Sequence, residues 1–406
     1  MNNKRLLFSI FLVVFIDLLG FSIILPLLPY FAKDFNASDF QIGLLAASYA
    51  AAQLVGAPIL GRLSDRYGRR PVLLISIAGN AAGYILLALA QTLPMLFAAR
   101  ILAGITAANI SVAQAYISDI TDAKNRGRGL GLLGAAFGLG FIIGPALGGA
   151  LSTFGYAVPS YVSAVLGAIN FVLVILWLPE SLTVERRAEL LKQKRLALSP
   201  VGLWEALRRP LVGPLLHTRF FFGLAFSLFQ TIFALYALYR FNLGAQQTGY
   251  VLAYVGVLSV LVQGFVIGRL TERYSDSLLI LSATALMAAA LLGWALAPNI
   301  LALLIVLAPI SLSGGVLNTV VHSANSKNAP PYEIGGMLGL SSSIESLTRV
   351  ISPSLGGLLL EWADAQYGVQ IGTAFPGIFA AVLMAWLITY VWRRVYHISK
   401  PIERAG

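Results

Sequence analysis

Asp17 is the only charged residue between Arg5 and Lys33, and its neighbours are apolar or uncharged. About eleven residues into such a run, a carboxylate lies ~16 Å along a helix, close to the midplane of a bilayer. Holding its charge there costs roughly 2.5–3.5 kcal/mol on insertion scales, so the group is expected to be functional or paired. Arg100 stands about six residues into a later apolar run that returns from the opposite face, within a turn of the same depth. The spacing therefore predicts an Asp17–Arg100 pair. A proton reaching Asp17 would break it and change the preferred conformation, while the competing reading is a structural ion pair. Glu345 and Arg349 are four residues apart, on one face of one helix, and each can partly neutralise the other. They read as a proton carrier with its counter-charge or as an inert clasp. Other chemistry is excluded or unsupported: there is no cysteine, and three scattered histidines make no metal cluster. No phosphate-binding loop is present, so the expected energy source is a proton gradient and no cofactor is expected. No nucleophile converges with an acid or base, so the chain is not expected to be an enzyme.

The elements that must position these residues follow from composition. The chain has 406 residues, 58% hydrophobic and only 11% charged, with the apolar residues gathered in runs of about twenty. This reads as an all-α membrane protein and excludes a soluble enzyme, a disordered chain and a nucleic-acid module. Twelve helices are predicted near 6–31, 41–61, 71–90, 94–118, 129–152, 157–178, 213–239, 247–268, 278–296, 300–325, 335–361 and 373–394. Of the 28 Lys and Arg residues, Lys33 and Arg240 fall on one side and Arg100, Arg219 and Arg349 within helices. All the others fall on the side of the N-terminus, which predicts a cytoplasmic location for both termini. The net charge of +11 is thereby a topology signal, and no nucleic-acid partner is needed to explain it. The first helix is too long for a signal peptide and lacks a cleavage site, so it is expected to be retained. The polar stretch 179–212 divides the chain into a six-helix bundle at 1–178 and a second, with a short tail, at 213–406.

The halves repeat. Gly61-Arg62-Leu63-Ser64-Asp65-Arg66-Tyr67-Gly68 returns as Gly268-Arg269-Leu270-Thr271-Glu272-Arg273-Tyr274-Ser275, and Gly144-Pro145-Ala146-Leu147-Gly148-Gly149 as Ser352-Pro353-Ser354-Leu355-Gly356-Gly357. Duplicated six-helix units are a common transporter plan. On these residues the chain resembles the major facilitator superfamily over essentially its whole length. The superfamily's signature between helices two and three stands as Gly61, Leu63, Asp65, Arg66, Gly68, Arg69 and Arg70. The exporter signature of helix five stands as Gly131, Gly140, Gly144, Pro145, Gly148 and Gly149. Within the superfamily the chain is similar to the drug/proton antiporters that include bacterial tetracycline exporters. The stretches from Asp17 to Pro29 and from Arg100 to Thr106 carry that likeness, with Ala103 where those exporters usually have Gln.

The resemblance implies two pseudo-symmetric six-helix bundles working by alternating access, in the cytoplasmic membrane. It implies proton-coupled efflux of a small hydrophobic or amphiphilic compound. The residues themselves offer Asp17 with Arg100 as the first candidate coupling site and Glu345–Arg349, a pair the tetracycline exporters lack, as the second. A proton-coupled importer or uniporter is the alternative, and a non-transporting receptor a remote one. Partners would be the organic substrate, protons and lipid, and the protein is expected to be a monomer. The signature loop is expected to latch one side shut, with Asp65 pairing an arginine or capping a helix. The alternative is that its arginines only set topology. The helix-five glycines are expected to pack closely against another helix, with Pro145 as a kink. By analogy with the fold, helices one, four, seven and ten face the cavity. They supply Asn109, Gln114, Gln230, Asn318 and His322 as polar points and Phe226 and Phe233 as aromatic ones, though each Phe also suits lipid or packing. Arg219 reads as snorkelling from a helix end. The acids of helices three and nine and the helix-eight histidine of the tetracycline exporters have no counterpart here, which points away from the metal–tetracycline complex as substrate.

Overall fold

In a bilayer an unpaired backbone N–H or C=O is costly, so apolar runs of this length close their hydrogen bonds internally as helices. The computed structural model describes residues 3–183, 185, 187, 207–208, 212–327 and 334–396, and no strand occurs among them. Twelve long helices order the described chain: α1 Asn3–Ile24, α2 Asp39–Tyr67, α3 Arg69–Ala88, α4 Leu93–Thr106 continued by Asn109–Ile120, α5 Ala123–Leu151 and α6 Ala157–Trp177. They continue with α7 Val212–Phe241, α8 Ala245–Leu261 continued to Arg273, α9 Asp276–Ala295, α10 Ile300–Lys327, α11 Ile334–Tyr367 and α12 Phe375–Val391. Eleven of these segments are long and apolar enough to cross a membrane. Val55, Ile75, Leu176, Leu301, Ile305 and Val382 are among the large apolar side chains left exposed, as expected of a multi-pass membrane protein. Most of the predicted central loop, and the tail from 397, lie outside the described residues.

Three predicted helices need correction. The first stops at Ile24, and a turn at 25–27 leads into a short helix, Leu28–Lys33, because Pro26 and Pro29 cannot continue the hydrogen-bond ladder. The fourth breaks at Ala107–Ala108, where Ala107 takes ψ 67 and Asn109 restarts the helix. Gln53 donates to the Ala107 carbonyl that the break exposes (3.3 Å). The second runs on to Tyr67, so the signature predicted as a loop is mostly the last two turns of α2, with Gly68 as the linker to α3.

The described residues pack into two compact units. The first takes residues within 1–38, 48–194 and 243–256, the second those within 39–47, 195–242 and 257–406. In the first, Ile10, Val14, Leu73, Ile77, Val112, Tyr116 and Ile117 form a core between α1, α3 and α4. In the second, Phe229 and Tyr236 of α7 pack on Trp294 of α9, whose carbonyl accepts from the Tyr236 hydroxyl. The duplication persists in the backbone. Asn36 and Asn242, 206 positions apart, both adopt left-handed φ values (55° and 54°) just before α2 and α8.

Candidate functional site

Asp17 does not pair with Arg100. Its Oδ1 accepts from the side-chain amides of Asn109 (2.6 Å) and Asn80 (3.3 Å), both buried. The break in α4 explains the exchange: it places Asn109 at the start of a new helical segment, facing Asp17, while Arg100 stays on the preceding segment. There the Arg100 guanidinium is buried over the rings of Tyr49 (4.2 Å) and Phe21 (6.0 Å), a cation–π arrangement. Asn109 Oδ1 and Arg100 Nε are both buried without a hydrogen-bond partner. Depth along a helix was legible in the sequence; the direction in which each side chain leaves it was not.

In the second unit the structure gathers more than the sequence predicts. Glu345 and Arg349 pair as expected, through Oε1. Arg219, expected to snorkel, is instead buried, and its Nη2 donates to Glu345 Oε2 while its Nη1 donates to Asn318 Oδ1. His322 Nε2 lies 3.9 Å from Glu345 Oε2. Two predicted cavity residues, Asn318 and His322, thus belong to one cluster with both charged residues of α11. Gln230 is exposed on α7, about three turns beyond Arg219 and apart from this cluster. Phe226 stacks against Phe222 (5.6 Å). Phe233 is fully buried edge-on to Phe229, which corrects its reading as a cavity wall: it belongs to the packed interior. Gln114 does face open space. With Ser111, Ser118, Leu130, Leu133, Gly134 and Phe137 it lines a groove of ≈ 660 Å³ between α4 and α5.

The signature between α2 and α3 is a knot of charges. Arg69 is buried and donates to Asp65 (2.7 Å), Ser64 (2.8 Å) and Asp119 at the end of α4 (2.9 Å). Asp65 therefore pairs an arginine. The helix cap comes from elsewhere: the carboxylate of Glu180 accepts from the backbone N–H of Arg69 (2.9 Å) and Arg70 (3.1 Å), the first two residues of α3. Gly68 has φ 111°, and a Cβ there would strike the Glu180 carboxylate. A Cβ at Gly61 would meet nothing within 4 Å, so no close approach requires glycine there. Arg70 donates to the Ile175 carbonyl (2.7 Å), and Arg66 lies exposed over Tyr67. Asp119 and Glu180 were missed in the sequence because each lies in a different segment from the motif it completes.

Along α5, Gly140, Gly144 and Gly148 meet α1 at Leu18, Ser22 and Ile23, and Ser22 donates to the Gly140 carbonyl (2.8 Å). Gly149 and the Pro145 carbonyl meet Gln246 and Gly249 at the start of α8, a segment of the same unit. A Cβ at Gly131 would meet nothing within 4 Å, so no close helix contact requires glycine there.

Comparison with known proteins gives a consistent picture. Residues 10–308 and 220–405 match the profile of the Major Facilitator Superfamily. The chain is 34% identical over 409 residues to the class H tetracycline resistance protein of Pasteurella multocida, covering 99% of this chain and 98% of that one. It is 31% identical over 387 residues to solute carrier family 22 member 18 of Rattus norvegicus, covering 94% and 90% respectively. A bacterial homologue of the human lysosomal transporter Spinster, in an inward-facing and occupied conformation, superposes with a TM-score of 0.79 at 14% identity, over 96% of each chain.

Proposed function

Because the chain belongs to the major facilitator superfamily, and so is a transporter, we propose that it exports a small amphiphilic organic compound in exchange for protons, with Asp17 as the proton carrier. The carrying observation is the surroundings of that carboxyl. Asp17 holds two neutral amide donors and no cation, and Asn109 also brings a buried carbonyl oxygen with no partner. An ionised Asp17 accepts from the two amides. A protonated one is itself a donor, and Asn109 can turn its oxygen to receive it. Both protonation states therefore find partners at one place, whereas a structural ion pair would have required Arg100.

The glycine-lined contact of α5 with α1 and the kinship with tetracycline resistance proteins support export over import. The distribution of Lys and Arg supports a cytoplasmic location for both termini, in the inner membrane. In this reading the Arg69 knot is the latch that the alternating-access cycle must open on the cytoplasmic side. The protein works as a monomer without a cofactor.

Proteoliposomes with a pH-sensitive dye trapped inside, challenged with a panel of lipophilic drugs, test the proposal. Wild type is expected to move protons when drug is added, and Asp17→Asn at matched reconstitution to fall to the level of empty vesicles. Undiminished proton movement in Asp17→Asn would remove Asp17 from the role. Drug flux with no proton movement would remove antiport itself.

A further inference from the structure

An ion pair kept only to hold membrane helices together has no use for excess charge, since each unmatched charge at depth is costly. The α7–α10–α11 cluster carries such an excess. Glu345 faces two guanidinium groups, Arg219 and Arg349, and the titratable ring of His322. Among the described residues these are the charged and titratable groups that reach it from the three helices. One carboxylate is engaged at both oxygens, and one positive charge remains unmatched even with His322 neutral. Arg219 is buried with its Nε unpartnered, while the Arg349 side chain is 58% exposed.

The fold itself does not demand charge at this place. At the repeat offset of 208, His322 corresponds to Gln114 and Glu345 to Phe137. Those two residues line the groove of the first unit, where none of the lining residues is charged and the helices still pack. The charges of the second unit are thus an addition to a frame that stands without them.

We infer that Arg219 and Arg349 hold the anionic group of the transported molecule, which is an organic carboxylate, and that Glu345 is the internal carboxylate it displaces. Glu345 bridges the two guanidinium groups, one oxygen to each, and an incoming carboxylate can make the same two charge-assisted contacts in its place. Asn318 accepts from the other terminal nitrogen of Arg219 and keeps that contact when Glu345 departs.

The inference names the substrate class for the transporter reading above and rests on it, but its test is an equilibrium one that needs no proton gradient. Purified full-length protein in detergent is titrated calorimetrically with 1-naphthylacetate, 1-naphthylacetamide and 1-naphthylmethylamine, which share a ring system and differ in charge. The carboxylate is expected to bind about tenfold or more tightly than the amide or the amine, the value of one charge-assisted contact. Arg349→Gln, at an exposed position that tolerates the change, should reduce that preference to near unity, and Glu345→Gln should tighten carboxylate binding by removing the competitor. Equal affinity for all three probes, a preference for the amine, no binding of any of them, or weaker carboxylate binding in Glu345→Gln would each overturn the inference. A carboxylate preference without proton movement in vesicles would sink the antiport reading alone. Drug-driven proton movement without a carboxylate preference would sink this one alone.

Discussion

In the first unit Asp17 accepts from two amides while Arg100 lies apart over two aromatic rings; in the second, Arg219, Arg349 and His322 converge on Glu345. At these two places the duplicated frame thus keeps Asp17 and Arg100 apart in one half and gathers acid and base in the other. A lone carboxyl among neutral donors can change charge without dismantling a salt bridge, which suits a proton. A carboxylate over-matched by cations can be exchanged for another carboxylate, which suits an anion. The loops after α2 and α8 diverge in the same spirit. Arg69 pairs with Asp119, and the corresponding positions at offsets 207 and 208 are Asp276 and Lys327, which pair at 2.8 Å with the signs inverted. Burial, however, differs: the Arg69 side chain is 6% exposed and the Lys327 side chain 64%.

That difference sets the order of expected effects. Arg69→Ala should be the most damaging, because it removes the buried guanidinium that Asp65 and Asp119 share. Breaking such a pair costs about 3–5 kcal/mol, read as a lower unfolding temperature of the purified protein. Adding Asp119→Asn should recover part of the loss, since one stranded charge is gone. A loss no larger than that of an exposed pair would dissolve the contrast between the two loops.

A smaller effect is expected where the units cross their helices. In the first, the hydroxyl of Ser22 on α1 sits against Gly144 of α5 and donates to Gly140. In the second, the residue corresponding to Gly144 is Ser352, and it donates to the Leu224 carbonyl of α7 (3.0 Å). The hydroxyl belongs to opposite partners in the two crossings. Gly144→Ala pushes a methyl into Ser22 and should cost about 1–3 kcal/mol of thermal stability. Ser352→Ala loses one hydrogen bond, about 0.5–1.5 kcal/mol. Equal losses would mean that the two crossings are packed alike.

Much of this was legible in the residues, and the exceptions share a cause. The twelve helices, the repeat and the Glu345–Arg349 pair follow from hydropathy, from internal similarity and from a four-residue spacing that fixes a common face. The Asp17–Arg100 pair failed because depth can be counted along a run, whereas azimuth cannot be counted across a break such as Ala107–Ala108, where hydropathy does not change. Arg219 was misread because snorkelling and inward pairing look alike from one helix and differ only in what the next helices offer. Glu180 and Asp119 complete a motif from 50 or more residues away, as the hydrogen-bond partners of Arg69 show. Likewise the assignment of 39–47 and 243–256 to units other than those of their own helices leaves no mark in composition.

The smallest effect is expected at Lys327. Its ammonium meets Asp276 in good geometry, but a side chain this exposed keeps most of its hydration, and an exposed pair contributes about 0–1 kcal/mol. Lys327→Ala should therefore shift the unfolding temperature little, and what shift there is should vanish in molar salt, where such charges are screened within about 3 Å. The Arg69 variant should keep its deficit under the same conditions, because salt reaches a buried pair poorly. If both deficits respond to salt alike, the two loops are one device with reversed signs. If only Lys327 responds, duplication supplied the frame, and burial alone made the first loop strong enough to serve as a latch.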